Sequence, residues 1–300
     1  MRKPLALISG AVLALGLLTG CGSSKSSSTA STAGVATPTP SVNASIAAQV
    51  PAAIKKKGTL TVASEAEYAP NEFIAPDGHT VIGMDADLMH TIASLMGLKV
   101  NLINSDFESI IPGLAAGRYD LGVSSFTDTK EREKTVDFVT YFQAGITFYA
   151  KSSSTAVIGK VGDLCGKTVA LEKGTTEQEE ATKQSSTCTK EGKKAVNVLS
   201  FPGQNPVNLA VASGRAEVGM ADSPVAEYQV KQSAGKFKLL CKCYGFAPYG
   251  IAIPKKSGMT APIQAAVKQL ISDGTYAAIL KRWGVQSGAI TEPKIDGAIS

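Results

Sequence analysis

Residues able to do chemistry are few in this 300-residue chain, and most of them rule reactions out. There are two histidines, His79 in an Asp-Gly-His turn and His90 on a helix-like face, both distant in sequence from any cysteine. HExxH metal sites and His-containing zinc fingers are therefore excluded, and a Ser-His-Asp triad would have to use one of these two ordinary positions. Gly166-Lys167-Thr168 has Val161 where a phosphate-binding loop needs glycine, and the Ser233-to-Lys236 SxxK spacing has no SDN or KTG triplet beside it. The remaining candidates suit binding. Gly174-Thr175-Thr176 follows a strand pattern and opens a helix, so its amides form an anion pocket. Arg132 falls one turn into a short charged helix, TKEREK, that opens just after Ser124-Ser125. Asp222 precedes Ser223-Pro224, a pair better suited to capping the next helix, which leaves the Asp222 carboxylate for another task.

Strand-like and helix-like segments alternate from TLTVAS (59–64) to Trp283, which argues an α/β fold. Asp85 is placed to cap a helix whose Leu88, Ile92 and Leu95 recur at helical spacing. KVNLIN (99–104) leads to a helix over 107–116 that Gly117 stops, then to DLGVSS (120–125). ITFYA (146–150) crosses into a second series of strands and helices that ends at FKLLC, and the chain returns through YGIAIP (249–254) to two final helices. The segment LAAGRYDLGVSSF (114–126) aligns without gaps on VASGRAEVGMADS (211–223), each a helix stopped by glycine and followed by a short buried strand. Two lobes of the same topology are expected, with Ser124-Ser125 and Ala221-Asp222 at the carboxyl ends of matching strands, where open α/β sheets bind ligands.

Thirty Lys plus Arg against 25 Asp plus Glu, with 44% hydrophobic residues, excludes a disordered chain and a strongly basic nucleic-acid binder. Arg2 and Lys3 precede an apolar run (5–18) too short to span a bilayer and typical of a signal peptide, and LTGC (18–21) follows at once. LTGC resembles a lipobox, whose cysteine, here Cys21, takes a diacylglyceryl group and becomes the first mature residue. Residues 22–50 are rich in Ser and Thr with one charge, a tether composition. Cys165, Cys188, Cys241 and Cys243 then sit in an oxidising location with three possible pairings. Cys165 with Cys188 is the expected bridge, worth roughly 3 kcal/mol on the chain-entropy model. Cys241 and Cys243 are poorly placed to bond each other, and without His no metal site is expected.

The segments GTLTVASEAEYAP, IGMDADL, FESIIPGLAAGRYDLGVSS, KEREKTVDF, CGKTVALEKGTT, ADSPVAEY, APYGIAIPK and DGTYAAILKRWG occur in that order from Gly58 to about Val285. In this the chain resembles family 3 of the extracellular solute-binding proteins, the polar amino acid class that feeds ABC importers. The resemblance implies a two-lobed periplasmic-binding-protein-like fold of type II with two crossover strands, closing on its ligand like a hinged trap. It divides the chain into signal peptide (1–20), lipidated tether (21–53), lobe 1 (58–146 plus 247–285), lobe 2 (147–246) and a C-terminal tail (286–300).

A free amino acid enclosed by such a cleft loses water from both charged ends, and each must be paired. By resemblance Arg132 clamps the α-carboxylate with Thr127 and Thr176, while Asp222 and the Ser125 carbonyl take the ammonium at the Ser124-Ser125 strand end. Tyr68 and Phe107 match the aromatic walls around the side chain, and Glu65 the acidic position that reaches its distal group. Asn71 and Asp128 depart from the family pattern and make the side-chain subsite more polar and acidic, so amides and cations are favoured over glutamate and aspartate. The implied protein is a monomer without catalytic residues or cofactor, lipid-anchored on the outer face of a bacterial cell membrane. Its partners would be the permease and its ATPase subunits. Two alternatives are an anchored sensor and a cyclohexadienyl dehydratase-like enzyme, in which Glu65 would be a cleft acid.

Overall fold

The computed structural model describes residues 40–299. The signal peptide, Cys21 and the tether up to residue 39 lie outside the described residues. One mixed sheet organises the chain, in the order Lys99–Asn104, Thr59–Ser64, Leu121–Gly122, Tyr244–Pro254, Val136–Lys151, Val218–Asp222, Thr168–Glu172 and Asn197–Phe201. Phe237–Leu239 adds beside Val136–Lys151. Pairing is parallel toward both outer ends, as crossover helices require, and antiparallel between the two long central strands. A separate three-stranded sheet carries Glu67–Tyr68, Glu72–Ile74 and Val81–Ile82.

The 16-residue strand Val136–Lys151 is buried on both faces along nearly its whole length, so its apolar residues occupy both faces and do not alternate with polar ones. Its first part supplies Val139, Tyr141 and Phe142 to one core, packed under the helices Met84–Leu95, Thr260–Ser272 and Thr275–Trp283. Val136 and Phe138 enter a second core with Phe107, Ile110 and Phe126. Farther along, Ile146 and Phe148 belong to a core with Val169, Leu171 and Cys188, and Tyr149 to one with Val207, Val211 and Phe237. Each half of the sheet is thus covered on both faces.

The internal repeat is one structural unit used twice. Helix Phe107–Ala115 and helix Gln204–Ser213 are each followed by glycine in the left-handed region, Gly117 at φ 71° and Gly214 at φ 80°. Each then feeds a short strand parallel to the first strand of its half. Glycine is required there because a Cβ raises the energy of that backbone region.

Four local expectations change. Folded structure begins at Asn43 instead of Ile54: Asn43 caps helix Ala44–Gln49, its amide reaches the Leu95 carbonyl, and Ile46 and Val50 are buried in the first core. Composition gave a tether because two apolar side chains among small ones suffice for that contact. Helix Met84–Leu95 starts at Gly83, where a Cβ would lie 2.1 Å from the Asn71 carbonyl oxygen, and Asp85 is buried rather than capping. The TKEREK segment forms a single 3-10 turn, Arg132–Lys134, instead of a helix. The 286–300 tail is not loose: Ile295 bridges Val139 beside the long strand. Cys165 and Cys188 are disulfide-bonded as expected, and Cys241 and Cys243 are free thiols.

Candidate functional site

The carboxyl ends of the matched strands face one cavity, lined by Tyr68, Phe107, Ser125, Thr127 and Arg132 from one side and Glu172, Thr175, Thr176, Glu177, Gln204 and Asp222 from the other. Seven of the nine ligand-binding residues expected from sequence therefore come together. The other two, Ser124 and Glu65, stand behind the wall.

Arg132 is the only cation on this lining. Its guanidinium donates to the Thr127 carbonyl at 2.8 Å and, across the cleft, to the Gly174 carbonyl at 3.0 Å. It also lies over the rings of Phe107 and Phe126, at 5.3 and 5.7 Å. Among the described residues no carboxylate forms an ion pair with it, so the charge is oriented by carbonyls and aromatic faces while its remaining donors stay available. Opposite, Thr175 caps helix Thr176–Lys190 by accepting from the Gln178 amide, and Gln178 in turn accepts from the Gly174 amide. The first amides of that helix, at Thr176 and Glu177, have no intrahelical partner by construction and belong to cavity-lining residues.

Ser125 is held in an uncommon conformation, φ 49°. Its amide donates to Asp85 at 3.1 Å, and its hydroxyl accepts from Asn71 at 2.9 Å and donates to Glu72 at 3.3 Å. Asp85 also accepts from Tyr141 at 2.7 Å. Both acids are fully buried with no cation beside them. Burial pushes Asp85 up to about 6, and burial together with the Asp85 charge holds Glu72 well above the carboxylate range. The Ser125 hydroxyl is thereby turned away from the cleft. Ser124 accepts from the Glu65 amide at 2.8 Å, a bond that joins adjacent strand ends.

Glu65 is turned onto the Phe107 amide at the start of helix Phe107–Ala115, and burial raises it to about 8. The acid on the cavity wall is Glu172, at the end of strand Thr168–Glu172. Its carboxyl lies against the Tyr68 hydroxyl, and burial raises Glu172 to about 9. Glu177 and Asp222 add two more acids, both raised by burial. Asp222 precedes helix Ser223–Gln232 without capping it and instead accepts from the Tyr249 hydroxyl at 2.7 Å. Asp128 is not on the lining: it accepts from the Gly297 amide at 2.7 Å. Asn71 is likewise behind the wall, on Ser125.

Sequence reasoning missed Glu172, Glu177, Gln204 and Tyr249. Glu172 had a readable signal, because it ends a strand one residue before the Lys173-Gly174 turn, where ligand-binding ends are expected. Gln204 and Tyr249 had none, since their place depends on how the lobes meet.

Residues 60–286 match the bacterial extracellular solute-binding proteins, family 3. The chain belongs to this family. The arginine-binding protein of Corynebacterium glutamicum is 34% identical over 252 residues, 84% of this chain and 82% of that protein. Among solved structures, an ancestral arginine-binding protein bound to arginine superposes with TM-score 0.69 at 33% identity, covering 75% of this chain and 98% of that one. An ancestral amino acid-binding protein that is a precursor of cyclohexadienyl dehydratase superposes with TM-score 0.69 at 31% identity, over 77% and 97% of the two chains. The fold is the two-lobed type II binding-protein fold, with Val136–Lys151 and Tyr244–Pro254 as its crossover strands. Among the described residues no helix is long and apolar enough to cross a membrane.

Proposed function

We propose that this chain binds a free basic amino acid, with L-arginine as the favoured ligand, and passes it to an ABC importer permease without transforming it. The observation that carries this reading is the set of ionisable groups on the lining: three acids, Glu172, Glu177 and Asp222, against the one cation Arg132. A zwitterion uses one cation and one acid, leaving acids that reject a second carboxylate and accept a guanidinium or ammonium. Arg132, Thr127, Thr176 and the helix amides would hold the carboxylate, Asp222 and Ser125 the ammonium, and Tyr68 and Phe107 the aliphatic stem. Glu172, rather than Glu65, would meet the distal cation, with the Tyr68 hydroxyl beside it. The arginine-binding relatives support the same choice.

Lobe 1 would comprise 58–146 plus 247–285 and lobe 2 147–246, a division supported by the four cores. The N-terminal helices and C-terminal tail would travel with lobe 1. Closure would be held by contacts between the two groups: Arg132 on Gly174, Glu67 accepting from the Asn205 amide at 2.8 Å, and Lys173 with Glu108 at 2.9 Å. The protein would act from the outer face of the membrane, tethered through lipid at Cys21.

Calorimetry with L-arginine, L-lysine, L-glutamine and L-glutamate tests the ligand class. Arginine should bind tightest and glutamate not at all, and Glu172→Gln should weaken arginine more than glutamine. Glutamate binding more tightly than arginine would sink the reading, and turnover of prephenate or arogenate would sink its non-catalytic part.

A further inference from the structure

The family match ends at residue 286, yet the chain continues in contact with the segment that carries Arg132. Gly288 sits on the Phe142 ring, where a Cβ would approach to 2.0 Å. From there the tail runs along the free side of Val136–Lys151. The Thr140 amide donates to the Lys294 carbonyl at 2.9 Å, and the Lys294 amide donates back to the Thr140 hydroxyl at 2.7 Å. Asp296 and Phe138 exchange two bonds: the Phe138 amide donates to the Asp296 carboxylate at 2.8 Å, and the Asp296 amide to the Phe138 carbonyl at 3.0 Å. The next two amides leave the strand. Gly297 donates to Asp128 at 2.7 Å, and Ala298 to Glu133 at 3.1 Å.

Asp128 and Glu133 bracket Arg132. Between them the backbone has one 3-10 turn and no helix or strand, held locally by the Glu133 amide on the Thr129 carbonyl and the Arg132 amide on the Thr129 hydroxyl, so its placement against the fold depends on contacts from outside. Four contacts supply that placement. The Thr127 bridge to Tyr249 and the Asp128 amide on the Pro248 carbonyl, at 2.8 Å, fix the start. The tail fixes both ends, by taking up one carboxylate on each side. Asp128 is fully buried beneath it, which makes the tail amide its replacement for water.

We propose that residues 294–298 form a strap that positions Arg132 for the ligand carboxylate, so that ligand affinity depends on a segment lying beyond the family-matched region. This rests on the reading of Arg132 as the carboxylate clamp. Arg132 makes the contact; the strap acts through it, by limiting the geometries the 127–135 segment can reach before ligand arrives.

The test compares the full chain with one ending at Pro293, and Asp296→Ala with Asp296→Asn, which keeps an acceptor for the Phe138 amide. Without ligand, amide hydrogen exchange at Glu133, Lys134 and Thr135, paired to Thr129, Glu131 and Arg132, should quicken on the order of tenfold in the shortened chain, with Val218–Asp222 unchanged. L-Arginine affinity should fall by about tenfold on shortening, and Asp296→Asn should retain more of it than Asp296→Ala. Shortening in an Arg132→Ala background should then change affinity by less than about twofold, because the strap acts through that side chain. Unchanged exchange at 133–135, or the same loss in the Arg132→Ala background, overturns the proposal. If the full chain ignores arginine while shortening still loosens 133–135, the ligand assignment fails and the strap stands.

Discussion

The two copies of the repeat end in opposite kinds of strand end. At Ser125 the backbone is over-determined: Asp85 takes its amide, Asn71 and Glu72 share its hydroxyl, and Tyr141 fixes Asp85. At the equivalent end in the other lobe, the Asp222 carboxyl accepts from the hydroxyl of Tyr249 on the crossover strand and lies beside Glu177, another acid of the cavity. One copy has invested its buried acids in shape. The other presents its acid to the cavity. The same helix-glycine-strand unit therefore serves as a rigid edge in one lobe and as a charge in the other, and the difference lies in what packs behind the strand.

Removing charge at the cavity should have the largest effect on binding. Arg132→Ala and Asp222→Ala should each weaken L-arginine by roughly 2–5 kcal/mol, because the opposite charge of the bound zwitterion is left buried and unpaired. Calorimetry that places either variant within about threefold of the parent would show that the charges sit elsewhere.

Removing the brace should act on folding instead. Asp85→Ala leaves the Ser125 amide and Tyr141 hydroxyl without their acceptor, a loss of roughly 2–4 kcal/mol in urea unfolding. Asp222→Ala should cost clearly less stability, and equal losses would erase the contrast.

The buried acids make the comparison sensitive to pH. Asp85, Asp128, Glu65 and Glu172 are raised to about 6, 7, 8 and 9, so the folded chain holds more protons than the unfolded one above the ordinary carboxylate range. Their contribution to stability is fully present at acidic pH and is lost as pH rises through those values, so the melting temperature should fall from pH 5 to pH 9. A melting temperature that rises over this interval would show that these groups are ionised in the fold. At the cavity the same chemistry has a second sign. A guanidinium arriving at Glu172 favours its charged form, so arginine binding at pH 7 should release a proton, detectable as a dependence of calorimetric heat on buffer ionisation enthalpy.

The smallest effect belongs to Tyr249→Phe. It removes the Tyr249 hydroxyl bond that helps orient Asp222 and should weaken arginine by about 1 kcal/mol. A loss as large as that of Asp222→Ala would mean that the tyrosine itself touches the ligand.

The alternation of strands and helices, the repeat and the facing strand ends were legible because they depend on local pattern: apolar runs, glycine after a helix, and motif order. Arg132, Asp222, Tyr68 and Phe107 came with the motifs. Glu65 was misplaced because its partner, the Phe107 amide at the buried start of helix Phe107–Ala115, is visible only once the strand end and that helix are adjacent. Asp85 looked like a cap for the related reason that an acid at a helix start has that local use, while its partners Ser125 and Tyr141 are 40 and 56 residues away. The tail was given no role because each of its bonds to Phe138 and Thr140 has a backbone amide as donor, and two of the four are backbone to backbone, which composition does not encode.

Val136–Lys151 has one further consequence. A single uninterrupted strand places side chains in four cores, two on each side of the hinge. Losing either lobe strips half of that strand of its packing and frays the ladder it shares with Tyr244–Pro254. Thermal denaturation should therefore proceed as one cooperative step, with calorimetric and van't Hoff enthalpies in agreement, although the fold has two lobes.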